Sequence, residues 1–307
     1  MLNILQSSNF QWVLVSVVLL GMAAGLIGCL AYWKRQSLMS DAISHAALPG
    51  VVLSFMIFQE KNLLLLIIGA GISGLVGALL IQMIKSMTRI SEDTAMGLIL
   101  AVFFGGGIML LTMVNRSGSG NQAGLDQFIF GQAASMVRQD VLVMSTLAIF
   151  VILVIFIGFK EWKLYLFDPS FAKGIGLSLK SMNILYLILL VLTIVIGIQA
   201  VGVILMSALL IIPPVSARYW THSFKVMMWL SALFGASAGA IGTLISAFGS
   251  GWPTGPFIVV ASSVLFLVSL LFGVKKGIVI EYIMLRKQKK KVDQDWNPPF
   301  PVKEMDR

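Results

Sequence analysis

The sequence predicts an all-α, polytopic membrane bundle of about eight or nine transmembrane helices, and three observations carry that prediction. Of 307 residues, 58% are hydrophobic and only 11% charged, with a mean hydropathy of +0.94; no soluble core requires so much apolar sequence. The apolar residues fall in runs of about 18–25, enough to cross about 30 Å of hydrocarbon at about 1.5 Å per residue. The charges punctuate these runs instead of forming a patch. A net charge of +9 is therefore a mark of membrane topology, not of nucleic-acid binding.

Taken in order, the expected spans are 12–33, 38–58, 62–84, 94–114, 141–159, 183–200, 202–220, 224–248 and 256–274. The first has no Lys or Arg before it, so it lacks the basic leader of a cleavable signal and reads as a span. Its Cys29, the only cysteine, allows no internal disulfide or thiolate cluster and reads as a small packing residue. In the third span Gly69, Gly71, Gly74 and Gly77, and in the fourth Gly105, Gly106 and Gly107, read as close-packing positions. Asn115–Asn121 is a polar turn, and Leu125–Val137 is expected to form a short interfacial or re-entrant helix.

Lys160–Ser181 is a loop in which Asp168-Pro169 can cap a short helix, with Phe171, Ala172 and Ile175 along one side. The apolar stretch 183–220, about 57 Å if helical, is too long for one crossing and is expected to double back at Gln199–Gly202. An N-terminus outside places every Lys and Arg except Lys61, Arg116 and Arg138 inside. Residues 1–285 then form the membrane domain, with a cytoplasmic segment at about 160–181. Residues 286–307 form a basic tail, disordered or lying on anionic lipid.

Ser40–Gly50, SDAISHAALPG, carries the chemistry. Asp41 and His45 are the only ionisable residues between Arg35 and Glu60, and their four-residue spacing puts both on one helix face. In the plainer reading Asp41 orients His45 or sits on a buried helix start. In the sharper one the pair is a metal or proton site, because an intramembrane carboxylate is costly. Pro49 lacks an N–H and frees the carbonyl of His45 one turn earlier. The other histidine, His222, lies beside Arg218 and Lys225 and reads as a solvated surface residue.

Six stretches, in order, resemble the integral-membrane permease of manganese/zinc-type ABC importers. They are Ser40–Gly50, Ser91–Leu98 (SEDTAMGL), Leu125–Ala133 (LDQFIFGQA), Lys160–Gly176 (KEWKLYLFDPSFAKGIG), Val203–Arg218 (VILMSALLIIPPVSAR) and Ser250–Pro256 (SGWPTGP). The resemblance implies a type II ABC importer-like bundle in a bacterial cytoplasmic membrane. It also implies a complex of two permeases, a second copy or a paralogue completing the pair, with a cytoplasmic ATPase dimer and an extracellular metal-binding protein. In that family the Asp–x–x–x–His pair lies in the permeation pathway. The segment corresponding to Phe167, Asp168, Pro169, Phe171, Ala172, Gly174 and Gly176 docks into the ATPase.

The chain holds no G-x-x-x-x-G-K-[ST] motif, so hydrolysis belongs to a separate subunit and the chain is not itself an enzyme. One Asp and one His are too few ligands for a dication, whereas two copies across a two-fold axis supply four. Oxygen and imidazole without thiolate suit Mn²⁺, Zn²⁺ or Fe²⁺, and the Phe130–Ala134 region resembles the manganese branch. The metal is cargo; no permanently bound cofactor is expected. The competing readings are a secondary transporter or channel using Asp41 as an ion relay, and an intramembrane metalloenzyme; no H-E-x-x-H pair supports the latter.

Overall fold

The computed structural model describes residues 8–59, 62–116, 136–249 and 252–282, with 284 and 286. The expected helix at Leu125–Val137, all but its last two residues, and the basic tail beyond Arg286 lie outside the described residues. Among the described residues eleven helices follow one another: α1 Ser8–Trp33, α2 Met39–Phe58, α3 Leu63–Met87, α4 Glu92–Arg116, α5 Arg138–Ile157, α6 Phe159–Phe167, α7 Pro169–Gly174, α8 Leu179–Val201, α9 Val203–Trp220, α10 Phe224–Phe248 and α11 Thr254–Phe272. Among the described residues eight of them are long and apolar enough to cross a membrane: α1–α5, α8, α10 and α11.

α9 also runs from one end of the bundle to the other. Its first turn lies with the end of α8 against Gly255, at the start of α11, and its last turn reaches the end of α11, where Trp220 Nε1 donates to Ser269 at 3.0 Å. The reversal expected at Gln199–Gly202 occurs at Gly202, with φ 94° and ψ 163°, a conformation essentially reserved for glycine. The nine long helices therefore alternate in direction.

One end of the bundle gathers the end of α1, the starts of α2, α4, α8 and α10, and the end of α9. There Trp33 meets Phe167 and Phe224 with ring centroids 4.7 and 6.4 Å apart, and the Arg218 guanidinium lies 5.1 Å over Trp33. Gln36 and Lys85 both donate to the Glu92 carboxylate. At the other end Arg138 sits 5.5 Å over Trp12.

α1 and α8 form the buried centre, while α4, α5 and α11 lie outermost. α1 owes its place to small residues. A Cβ at Gly21 would overlap the carbonyl of Gly235, and one at Gly25 that of Ser231 on α10. Ser231 Oγ donates to the Gly25 carbonyl at 2.6 Å. Such backbone approach is how helices associate in lipid, where no hydrophobic drive exists between them. Gly25→Leu has nowhere to go, since a carbonyl cannot rotate aside as a side chain does. Its cost should exceed the roughly 1–3 kcal/mol of ordinary overpacking, read as loss of the folded monodisperse protein in detergent; a variant as thermostable as wild type contradicts this packing.

The glycines singled out in the sequence divide. Gly69 lies against the Gly50 backbone, Gly77 against Ala46 and Gly107 under Leu48, as expected of packing positions. Gly71, Gly105 and Gly106 face open space, because they point away from the bundle.

Candidate functional site

α2 is buried along nearly its whole inner length, with Ala42, Ile43, Ser44, Ala46, Ala47 and Leu48 enclosed. Asp41, His45 and Pro49 are the half-exposed residues among them. Spacing of four places the three on one stripe, turned out of this subunit. His45 is 16% and Asp41 39% exposed, with Nε2 and Oδ1 3.7 Å apart. That is too long for a hydrogen bond. Two donors each about 2.1 Å from one metal ion lie within about 4.2 Å of each other, so the pair can share a cation.

His45 is held by an edge contact with Phe104 of α4, centroids 4.8 Å apart. Its Nδ1 is buried with no hydrogen-bond partner among the described residues. Pro49 sits inside α2, and immediately after it Gly50 meets Gly69 of α3. Ser73 of α3 donates to the Ala46 carbonyl at 2.7 Å, supporting the backbone beside the proline. One turn before Asp41, Ser37 and Leu38 line a cavity of about 590 Å³ together with Tyr32, Trp33, Arg35, Asp93 and Arg218. The pair thus stands above a polar opening at the end of the bundle that holds Trp33. Among the described residues, no three His, Cys, Asp or Glu side chains gather into a metal cluster.

The second group of sequence-predicted residues is some distance along the chain. Residues 159–174 are two short helices, more ordered than a loop. Phe167 anchors them at the bundle end through its contacts with Trp33 and Phe224. Asp168 caps α7 as expected, its Oδ1 accepting from Phe171 N at 3.0 Å, with Pro169 in the first turn. The helix closes with Leu177 N donating to Ala172 O and Gly176 N to Lys173 O. That closure requires the positive φ of Gly176, +90°. The expected stripe is narrower than its three residues: Ala172 is buried, while Phe171 and Ile175 are 55% and 57% exposed. Four-residue spacing puts the latter two together and turns Ala172 about 100° away. Gly174 faces open space.

His222 is exposed in the α9–α10 turn, and Cys29 is a buried free thiol in α1. Sequence reasoning missed Lys34, Tyr165 and Asn183, which meet at the same end of the bundle. The one signal available was a lysine directly after a span; nothing local ties it to positions 165 and 183.

Among the described residues, eight helices long and apolar enough to cross a membrane, with α9 packed alongside them, make this chain an integral-membrane helical bundle. Residues 6–273 match the ABC 3 transport family, and the chain belongs to it. The manganese transport system membrane protein MntC of Bacillus subtilis is 42% identical over 291 residues, 95% of this chain and 67% of its own. The zinc transport system membrane protein TroC of Treponema pallidum is 40% identical over 281 residues, 92% and 94% of the two chains. The solved structure of PsaBC from Streptococcus pneumoniae in complex with Fab superposes with a TM-score of 0.78 at 31% identity, covering 92% of this chain and 97% of that one. The chain is an ABC transporter permease, a multi-pass protein of the bacterial cytoplasmic membrane.

Proposed function

We propose that this permease moves a divalent transition metal, Mn²⁺ first and Zn²⁺ or Fe²⁺ as the alternatives, into the cell. The observation that carries the reading is the Asp41–His45 pair, set on the outward stripe of an otherwise buried helix without a third ligand from the described residues of the same chain. Two such stripes facing each other, from a second copy or a paralogue, bring two carboxylates and two imidazoles to one ion. The carboxylates offset the dication's charge where water is scarce. Hard oxygen with imidazole suits manganese and does not exclude zinc or iron. Water and the carbonyl released by Pro49 complete the coordination, weakly enough for release.

A cytoplasmic ATPase dimer docks on α7, and an extracellular metal-binding protein delivers the ion. The basic residues support placing the Trp33 end of the bundle inside the cell. The names of the relatives, manganese in one and zinc in the other, agree with the donor set. Elemental analysis of a strain deleted for this gene, grown in metal-depleted medium, is the test. Cellular manganese should fall several-fold with zinc and iron unchanged. A fall in zinc alone reassigns the cargo, and an unchanged metal profile overturns the importer reading.

A further inference from the structure

Lys34 has no part in the metal site or the ATPase dock, yet it is the most heavily engaged amine among the described residues. It follows α1 directly. Its Nζ donates to Asn183 Oδ1 at 2.6 Å and to Tyr165 OH at 3.0 Å, and Tyr165 OH donates to the same Asn183 oxygen at 2.9 Å. The amine also lies 4.1 Å from the ring centre of Tyr186, a fully buried residue of α8, and 5.3 Å from that of Tyr165. Three elements thus converge on one nitrogen: the end of α1, the short helix α6 and the start of α8.

What lies on either side gives the knot its meaning. Tyr165 is on α6, two residues before Phe167 and three before Asp168, which caps α7. Between Gly158 and Gly176, α6 and α7 are seated on the bundle by the buried Trp162 and Ala172 and by Phe167 against Trp33, the residue next to Lys34. On the other side, the chain leaves Lys34 through a tight turn in which Arg35 has φ 59°. Gln36 N bonds to Ala31 O at 2.9 Å and Met39 N to Gln36 O at 3.0 Å. Gln36 is buried and holds Glu92 of α4. Two residues past Met39 stands Asp41, so the turn is too short and too well bonded to absorb a displacement of Lys34.

We propose that Lys34 is a positioning residue, a strut that ties the α6–α7 segment to the start of the metal-bearing helix and so links ATPase movement to the metal site. The proposal rests on the function proposed above, and its test separates the two. The groups facing the amine are Tyr165 from α6, Asn183 and Tyr186 from α8, Glu92 from α4 and Lys85 from α3. Burial pulls the Lys34 amine down from its ordinary 10.5 to about 8, with Glu92 opposing. Burial pushes the Tyr165 hydroxyl up to about 12, so it stays protonated throughout.

The sign follows. Below about 8 the ammonium is charged and holds both aromatic faces; above it the neutral amine loses the cation–π attraction. The strut slackens as the cytoplasmic-side pH rises through 8. Stability runs the other way: the folded amine has the lower pKa, so between about 8 and 10.5 the unfolded chain binds more protons and this group's effect on stability improves with pH. A merely structural lysine would therefore not produce a loss of coupling in that window.

The experiment uses the whole complex, permease with its ATPase and binding protein, in proteoliposomes at set pH on the ATPase side, with manganese as the probe. The quantity read is metal imported per ATP hydrolysed. Wild type should lose coupling several-fold between pH 7 and 9, whereas Lys34→Arg, charged throughout, keeps a flat profile. Tyr165→Phe removes only the hydroxyl on the α6 side and should lower the ratio at pH 7 while hydrolysis continues. A Tyr165→Phe complex with the wild-type ratio, or a wild-type ratio that stays flat with pH, overturns the strut. A wild-type complex that imports no metal under any condition overturns the importer reading instead.

Discussion

Asp41→Asn should abolish metal uptake by a permease that still folds and assembles. The substitution keeps the shape and one oxygen and removes only the charge. Asp41 is half-exposed at its site on α2, outside the packed face that Ala42, Ile43 and Ala46 supply, so the bundle does not depend on it. Two unit charges at 4 Å attract by about 4 kcal/mol at an effective dielectric of 20, and a dication doubles this. Losing even about 3 kcal/mol weakens binding by roughly a hundredfold. In a symmetric pair both carboxylates go at once. Initial uptake of radioactive manganese should fall at least about a hundredfold, with ATPase association retained. His45→Ala should fall less, because water can take the place of the imidazole while Phe104 loses its ring contact. Wild-type uptake by stably expressed Asp41→Asn would mean the ion takes another route.

That pair is legible in the amino-acid sequence itself, because charge in an apolar run is rare and its spacing sets the face. The spans are equally legible: each expected boundary in the described residues falls within a few positions of a helix end, and Gly202 turns where the long run has to fold back. What hydropathy cannot carry is which face of a helix meets which neighbour. α1 and α8 read like any other span, yet they are the buried centre; Gly21 and Gly25 of α1 stand at the G-x-x-x-G spacing that signals close approach, but that spacing does not say that Gly235 and Ser231 of α10 are what they meet. Gly105 and Gly106 are the reverse, conspicuous in the sequence and open in the fold. Small residues announce close approach only where a partner comes, and that is a tertiary fact. The Lys34–Tyr165–Asn183 knot joins positions 131 and 149 residues apart, beyond the reach of any local pattern.

Phe171→Glu should detach the ATPase. The residue stands on the outer face of a six-residue helix whose fold does not rest on it: Asp168 takes the Phe171 backbone N–H, Ala172 supplies the buried contact, and Gly176 closes the end. A substitution at its side chain therefore leaves α7 formed. With Ile175 one turn away and equally exposed, Phe171 offers an apolar ridge beside Lys173. Covering a phenylalanine contributes about 1.5–3 kcal/mol, and central aromatic anchors commonly cost about 2 kcal/mol or more when lost. A glutamate there adds the penalty of a buried carboxylate without a partner. Affinity for the ATPase should fall about a hundredfold or more, and hydrolysis stimulated by the loaded binding protein should disappear with it. Ile175→Glu should act in the same direction, and Asp41→Asn, remote from this ridge, should still capture the ATPase. Pull-down from membranes carrying each variant reads the first effect, and hydrolysis in proteoliposomes the second. Should Phe171→Glu and Ile175→Glu both retain the ATPase and its stimulation, the dock lies elsewhere on the Trp33 end of the bundle.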